Sequence, residues 1–243
     1  MQLEQHLVVG NGYARNIWYL PGPADIQHRL CVFLDGEHYQ RDMQAVPALA
    51  ELLEGPTSLP LSLLFVSHVA PGEGAAEYEA RRTADYTCNE GYARFTAEEI
   101  VQWATRRNPG IRPSGHVICG LSLSGLQSAF TTIRHPAVFS SCLSQSGSLW
   151  WLHGRSLDLG PTKAKFWFSV GDQETATQVA HSPQLYQKMS QIAGVEMAAE
   201  NCRRSGGTVH FCKYPGGHDM AAWKAELPTA LRWLSAASET GKP

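Results

Sequence analysis

Residues 115–134 read GHVICGLSLSGLQSAFTTIR. A short apolar run, GHVIC, leads into the small-residue turn Gly120-Leu121-Ser122-Leu123-Ser124-Gly125. A helix-like run, LQSAFTTIR, follows and is stopped by Pro136. Strand, tight turn and helix form the context of a nucleophile elbow. Such a turn forces the serine backbone into a strained conformation and lifts its Oγ above the sheet. Its neighbours must be small, because the strand end and the helix start pack closely there. The usual pattern is G-x-S-x-G. Here Ser124 takes the fifth position and glycine comes one later. A helix N-terminus behind Ser122 favours negative charge. An ordinary Ser/Gly turn has the same composition, so the rest of the chain must decide.

Outward from this turn, strands and helices alternate. Strand-like runs lie at 15–20, 29–34, 61–67, 115–119, 138–144, 165–170 and 208–214, bounded mostly by Gly, Pro, Asp or Ser. Helical spacing covers 95–107, with Thr96 as N-cap and Glu99 three residues on, and 124–134. It also covers 178–193, ended by Gly194, and 219–236. Pro183 and Pro228 predict late starts or kinks in these two. Continuous apolar strands between helices predict an α/β fold, with a mostly parallel central sheet covered on both faces. In such sheets functional groups gather beyond the carboxyl ends of the strands. The polar, Gly-rich stretch 68–93 reads as a long functional loop. The stretch 153–164 is too short for a large lid. One domain spanning 1–243, with its core at about 13–235, is expected.

Composition narrows the function classes. Of 243 residues, 43% are hydrophobic and 17% charged, so a buried core is affordable and wholesale disorder is not expected. A net charge of −2 and no basic tract argue against a nucleic-acid partner. No run approaches about 20 apolar residues, so no membrane span is expected. The opening MQLEQHLVVGNG has neither the basic nor the long apolar region of a secretory signal. The six cysteines form no C-x-x-C pair, and several sit inside apolar runs as small buried hydrophobes would. Free thiols, a cytoplasmic location and no metal site are the expectation.

A serine nucleophile needs a base and an acid. His218, in YPGGHD (residues 214–219), follows the last strand and precedes the last helix. That is where the histidine falls in the chain order Ser, acid, His. The acid belongs after the strand at 165–170, where Gly171-Asp172-Gln173-Glu174 offers two carboxylates. Either would accept the Nδ1 proton of His218 and fix its tautomer. The oxyanion hole requires two backbone N–H groups. One is expected from Leu123, and the other from Gly36 or Glu37 in FLDGEHY (residues 33–39).

Taken in order, FLDGEHY, RRTADYTCN, GLSLSG, LSQSGSLWW, GDQE and PGGHDMAAW resemble the putative-esterase family of α/β-hydrolases, which includes the enterochelin esterases. The likeness runs over about residues 13–235. It implies an α/β-hydrolase fold and a serine carboxylic ester hydrolase working through an acyl-enzyme. Ser122 would be the nucleophile, His218 the base and Glu174, at the family's G-x-x-E position, the acid. Asp172 is the alternative acid, and Leu123 and Glu37 N–H are the oxyanion donors. No cofactor is implied. The sequence departs from the family at Ser124, and it shows no counterpart of the N-terminal domain of full-length enterochelin esterases.

Enterochelin is a cyclic tri-ester bearing catechols, anionic when iron-loaded, so the resemblance implies an open, aromatic and partly basic site. Candidate substrate contacts are Arg82 (with Arg81), Trp150, Trp151, His38 and Tyr39, with His153 and Arg155 nearby. A siderophore, feruloyl or other aryl ester would suit the same surface. A broad carboxylesterase, an acyltransferase of the kind that shares this fold, and a non-catalytic ligand-binding relative are the alternatives.

Overall fold

The computed structural model describes residues 3–55, 57–153, 155 and 161–236. All seven strands read from the sequence are present: β2 (Tyr13–Leu20), β3 (Arg29–Phe33), β4 (Leu61–Val66), β5 (His116–Leu121), β6 (Phe139–Gln145), β7 (Lys165–Gly171) and β10 (Thr208–Tyr214). With β1 (Glu4–Gly10) they form an eight-stranded sheet in the order β1-β2-β4-β3-β5-β6-β7-β10. The pairs β1/β2 and β2/β4 are antiparallel, and every other pair is parallel. Little in the sequence signals β1, because it is an edge strand with half-exposed residues and no continuous apolar run.

Both faces of the sheet are covered, and alternate residues of one strand show it. Leu30 and Val32 of β3 pack in one apolar cluster, Cys31 and Phe33 in another. The first face receives α3 (Glu90–Arg94), which runs through a π-helical segment (Phe95–Ile100) into α4 (Val101–Arg107). It also receives α5 (Ser122–Arg134) and α6 (Gln191–Arg204). The second face receives α1 (Val46–Glu51) and α7 (Met220–Ser235). Four of the six cysteines lie buried in this interior.

Several local expectations are corrected. The stretch 178–193 is not a helix. A two-stranded hairpin, β8 (Val179–Ser182) and β9 (Leu185–Gln187), turns at Pro183, and Ser190 then caps α6 by accepting the Ala193 N–H at 3.1 Å. Gly194 does not stop that helix. It lies within α6, where a Cβ would stand 2.4 Å from the Trp150 backbone nitrogen. The stretch 68–93 holds α2 (Ala75–Tyr86) and the start of α3. Asn89, not Thr96, caps the helical run, accepting the Tyr92 N–H at 3.0 Å, while Thr96 donates back to Tyr92 O. The α7 helix continues through Pro228. Most of 153–164 lies outside the described residues. Among the described residues, no helix is long and apolar enough to cross a membrane.

Candidate active site

Ser122 stands at the step from β5 into α5. Leu121 is still extended (φ −126°, ψ 149°), and Ser122 turns into the left-handed region with φ +52°. A non-glycine residue held there is strained and must be fixed by its surroundings. The small neighbours explain how. A Cβ on Gly120 would stand 2.2 Å from Ser124 O, and one on Gly125 would stand 2.9 Å from the Gly147 Cα. Ser148 N–H holds Ser122 O at 2.9 Å. Ser124, the departure from the usual elbow, is fully buried and works on the backbone. Its hydroxyl accepts Leu121 N–H at 2.9 Å and donates to Leu121 O at 2.8 Å. Leu123 is the second residue of α5, so its N–H has no intrahelical acceptor.

The loops after β7 and β10 meet beside the elbow. His218 Nδ1 is 2.7 Å from Glu174 Oε2, with the imidazole exposed and the carboxylate buried. The other oxygen, Oε1, accepts Ser146 hydroxyl at 2.6 Å and Gly171 N–H at 2.8 Å. Burial pushes the Glu174 carboxyl up, but hydrogen bonds from His218, Ser146 and Gly171 outweigh it and hold the group below its ordinary value. Asp172 is turned elsewhere and accepts Gly216 N–H at 2.9 Å, tying the two loops together. The His218 ring stands edge-on to Trp223, 4.7 Å between centroids.

A cleft of about 540 Å³ opens over this group. Ser122, Leu123, Glu174 and His218 line it, and Trp150 and His181 form one wall with ring centroids 5.3 Å apart and planes 14° from parallel. His181 comes from the β8–β9 hairpin, so the region misread as a helix supplies a wall that sequence reading did not anticipate. Its Nε2 is 2.8 Å from Gln187 Oε1 across that hairpin.

The other candidate contacts divide. Arg82 reaches the cleft wall, but its Nε and one terminal nitrogen bind both oxygens of the fully buried Asp35 at 2.9 and 2.6 Å. Asp35 has φ +57° and begins the loop after β3, so this pair holds the segment that carries Gly36 and Glu37. The Glu37 carboxylate accepts His68 N–H at 3.1 Å. His38 is engaged by Asp42 and by Tyr78, whose hydroxyl is 2.9 Å from Nε2. Tyr39 is fully buried and donates to Gln145 Oε1 at 2.9 Å, which corrects its reading as a substrate contact. Trp151 packs on the core outside the cleft lining, with the Arg155 guanidinium 4.0 Å over its ring. Arg81 is paired with Glu73. Asp35, His38 and His68 lie within ligand distance of one another. Because Arg82 occupies both Asp35 oxygens, the cluster fits an ion-pair network better than a cation.

The sequence matches the family described as "Putative esterase" over residues 19–234. The chain belongs to that esterase family. The Iron(III) enterobactin esterase of Dickeya dadantii (strain 3937) is 28% identical over 233 residues, covering 90% of this chain and 51% of that protein. The Iron(III) salmochelin esterase of Escherichia coli O6:H1 is 30% identical over 144 residues, covering 52% of this chain and 30% of that protein. The chain thus spans about half the length, or less, of these curated relatives. The Shigella flexneri enterobactin esterase crystallised in the presence of enterobactin aligns with a TM-score of 0.76 at 19% identity. That alignment covers 96% of this chain and 59% of that one. The shared fold is of the α/β-hydrolase type.

Within this esterase fold, the residues missed from sequence are, besides His181, those beneath the site: Ser146, Tyr214 and Trp223. Two of them lie inside motifs that carried the family likeness, but nothing in their local pattern signals a role.

Proposed function

We propose that the chain is a serine esterase using Ser122, His218 and Glu174. One observation carries the reading: a serine at φ +52° on a strand-to-helix turn shares a cleft with a histidine whose Nδ1 is held 2.7 Å from a buried carboxylate. His218 takes the Ser122 proton as Oγ attacks the ester carbonyl. Glu174 keeps the imidazole in the correct tautomer and stabilises the imidazolium. Leu123 N–H, with Glu37 N–H from the loop held by Asp35, receives the developing oxyanion. The alcohol leaves with the proton from His218. Water, activated by the same imidazole, then releases the acyl group.

The substrate class is a siderophore or related aryl ester. Two things support it: the names of the relatives, which are iron(III) enterobactin and salmochelin esterases, and the flat aromatic wall of Trp150 and His181. A cytoplasmic location belongs to the same proposal, in keeping with six free cysteines.

Wild type and Ser122→Ala, purified side by side, are to be assayed on p-nitrophenyl butyrate and on a catecholate tri-ester. Turnover by wild type, lowered by a factor on the order of 10⁴ or more in the variant, is expected. Equal turnover by the two proteins sinks the mechanism. Wild-type turnover of the short acyl ester with none of the tri-ester sinks the substrate class alone.

A further inference from the structure

Glu174 is held by more than its histidine. Its Oε1 faces a buried polar group built from three elements. Ser146 lies just past the end of β6 and is fully buried, with φ +43°. Its N–H donates to Ser169 O at 2.9 Å, and its carbonyl accepts the Gln191 side-chain amide. Tyr214 ends β10, and its hydroxyl is 2.7 Å from Ser146 Oγ. Trp223, in α7 and also buried, places Nε1 2.8 Å from the Tyr214 hydroxyl and 3.1 Å from Ser146 Oγ.

Donor chemistry fixes the direction of these bonds. An indole N–H only donates and an ionised carboxylate only accepts. The Ser146 hydroxyl has one proton, and its contact to Glu174 Oε1 is the shortest that Oγ makes, at 2.6 Å. The Tyr214 hydroxyl also lies 3.1 Å from Gly217 O and 3.3 Å from Glu174 Oε1, but its shortest contact is to Ser146 Oγ, and its proton goes there. The Tyr214 hydroxyl, having given its proton to Ser146, accepts from Trp223. Every proton in the chain points towards the carboxylate.

From this we infer that Trp223, Tyr214 and Ser146 form a one-way hydrogen-bond chain whose function is to position Glu174 for His218. These are positioning residues, and the inference rests on the triad proposed above. The physical gain is orientational. With Oε1 fixed by Ser146 and Gly171, only Oε2 is left to face the imidazole, and its lone pair is aimed at Nδ1. Trp223 adds a second restraint, because its ring meets the His218 ring edge-on while its N–H starts the chain. A strained, non-glycine backbone at Ser146 has a use on this reading, since the left-handed turn is what carries Oγ back to the acid.

Ser146→Ala and Tyr214→Phe test it, each first checked for native circular dichroism. Two quantities are read: steady-state hydrolysis of p-nitrophenyl butyrate, and the low-field proton resonance of the His218 Nδ1–H···Glu174 bond, identified by its loss in His218→Ala. In Ser146→Ala, kcat is expected to fall on the order of tenfold with KM unchanged. The resonance should move upfield or broaden into solvent exchange. Tyr214→Phe, one bond further away, should show the same changes in smaller measure. A lowered kcat with an unmoved resonance overturns the proposal, because general loosening would give that result. Unchanged kcat and resonance overturn it as well. If Ser146→Ala fails to fold, Tyr214→Phe decides on the same criteria. If the wild type hydrolyses no ester, the triad reading fails, and the resonance still reports whether Ser146 and Tyr214 hold the acid against His218.

Discussion

Glu174 and Asp172 sit two residues apart on one loop, and sequence reading by itself allowed either to be the acid. Their surroundings differ. Glu174 gives one oxygen to His218 and the other to Ser146 and Gly171, while Asp172 spends its carboxylate on Gly216 N–H. Glu174→Gln is therefore expected to lower kcat on p-nitrophenyl butyrate by roughly 10³–10⁴, since the amide presents an N–H where the imidazole needs an acceptor. Asp172→Asn keeps an oxygen for Gly216 and should retain most of the activity. Comparable losses in the two variants would return the question to the open state in which the sequence left it. Ser124 was also ambiguous from sequence. A hydroxyl at that point competes for the backbone, and here it is consumed by Leu121, so it caps the elbow and leaves Ser122 alone.

At the level of elements, β3 to β7 were legible because strands buried on both faces read as unbroken apolar runs, while β2 and β10, half-exposed, were legible from their aromatic and β-branched residues. The helix expected at 178–193 was not there, and the reason is instructive. QVAHSPQLYQKMSQIA has helical spacing, but Pro183 supports a turn, and the hairpin it allows packs His181 against Trp150. The helix forms later, past Ser190, where the bare backbone at Gly194 lets α6 close onto Trp150. Helix starts matter to the site in another way. Asp219, next to His218, accepts the N–H groups of Ala221 and Ala222 at 2.7 and 2.9 Å and so fixes the origin of α7, which carries Trp223. Asp219→Ala is expected to cost about 1 kcal/mol of stability, read as a lower urea midpoint at unchanged slope.

Across the whole molecule, the loop after β3 and the helix α2 are joined by a buried pair, Asp35 and Arg82. Burial alone would raise the Asp35 carboxyl, but the charge and hydrogen bonds of Arg82, with His68, hold it well below the usual carboxylate range. The pH consequence has a definite sign. An unfolded aspartate takes up its proton near pH 3.9 and the folded one does so lower, so between these values the unfolded chain binds more protons. This pair's contribution is complete above about pH 5 and is lost as pH falls. Glu174, also depressed, acts in the same direction. Glu226, raised by burial, acts oppositely and loses its contribution as pH rises through its folded value. Asp35→Asn should cost about 3–5 kcal/mol at neutral pH by stranding Arg82. Urea unfolding between pH 3 and 6 should show a shallower acid slope in the variant than in wild type, and parallel slopes would refute the assignment. Such partnerships mark the limit of a linear reading. Sequence alone was enough for the α/β class, for the proposed order of a serine at 122, a carboxylate at 172 or 174 and a histidine at 218, and for the esterase likeness, because these rest on local periodicity and on motifs strung along the chain. The tertiary structure alone decided which carboxylate meets His218, why Arg82 faces Asp35, and how Ser146 meets Glu174, Tyr214 and Trp223 across 28, 68 and 77 residues. Those meetings depend on which strands lie side by side and in what register, and that is set by the packing of the whole sheet.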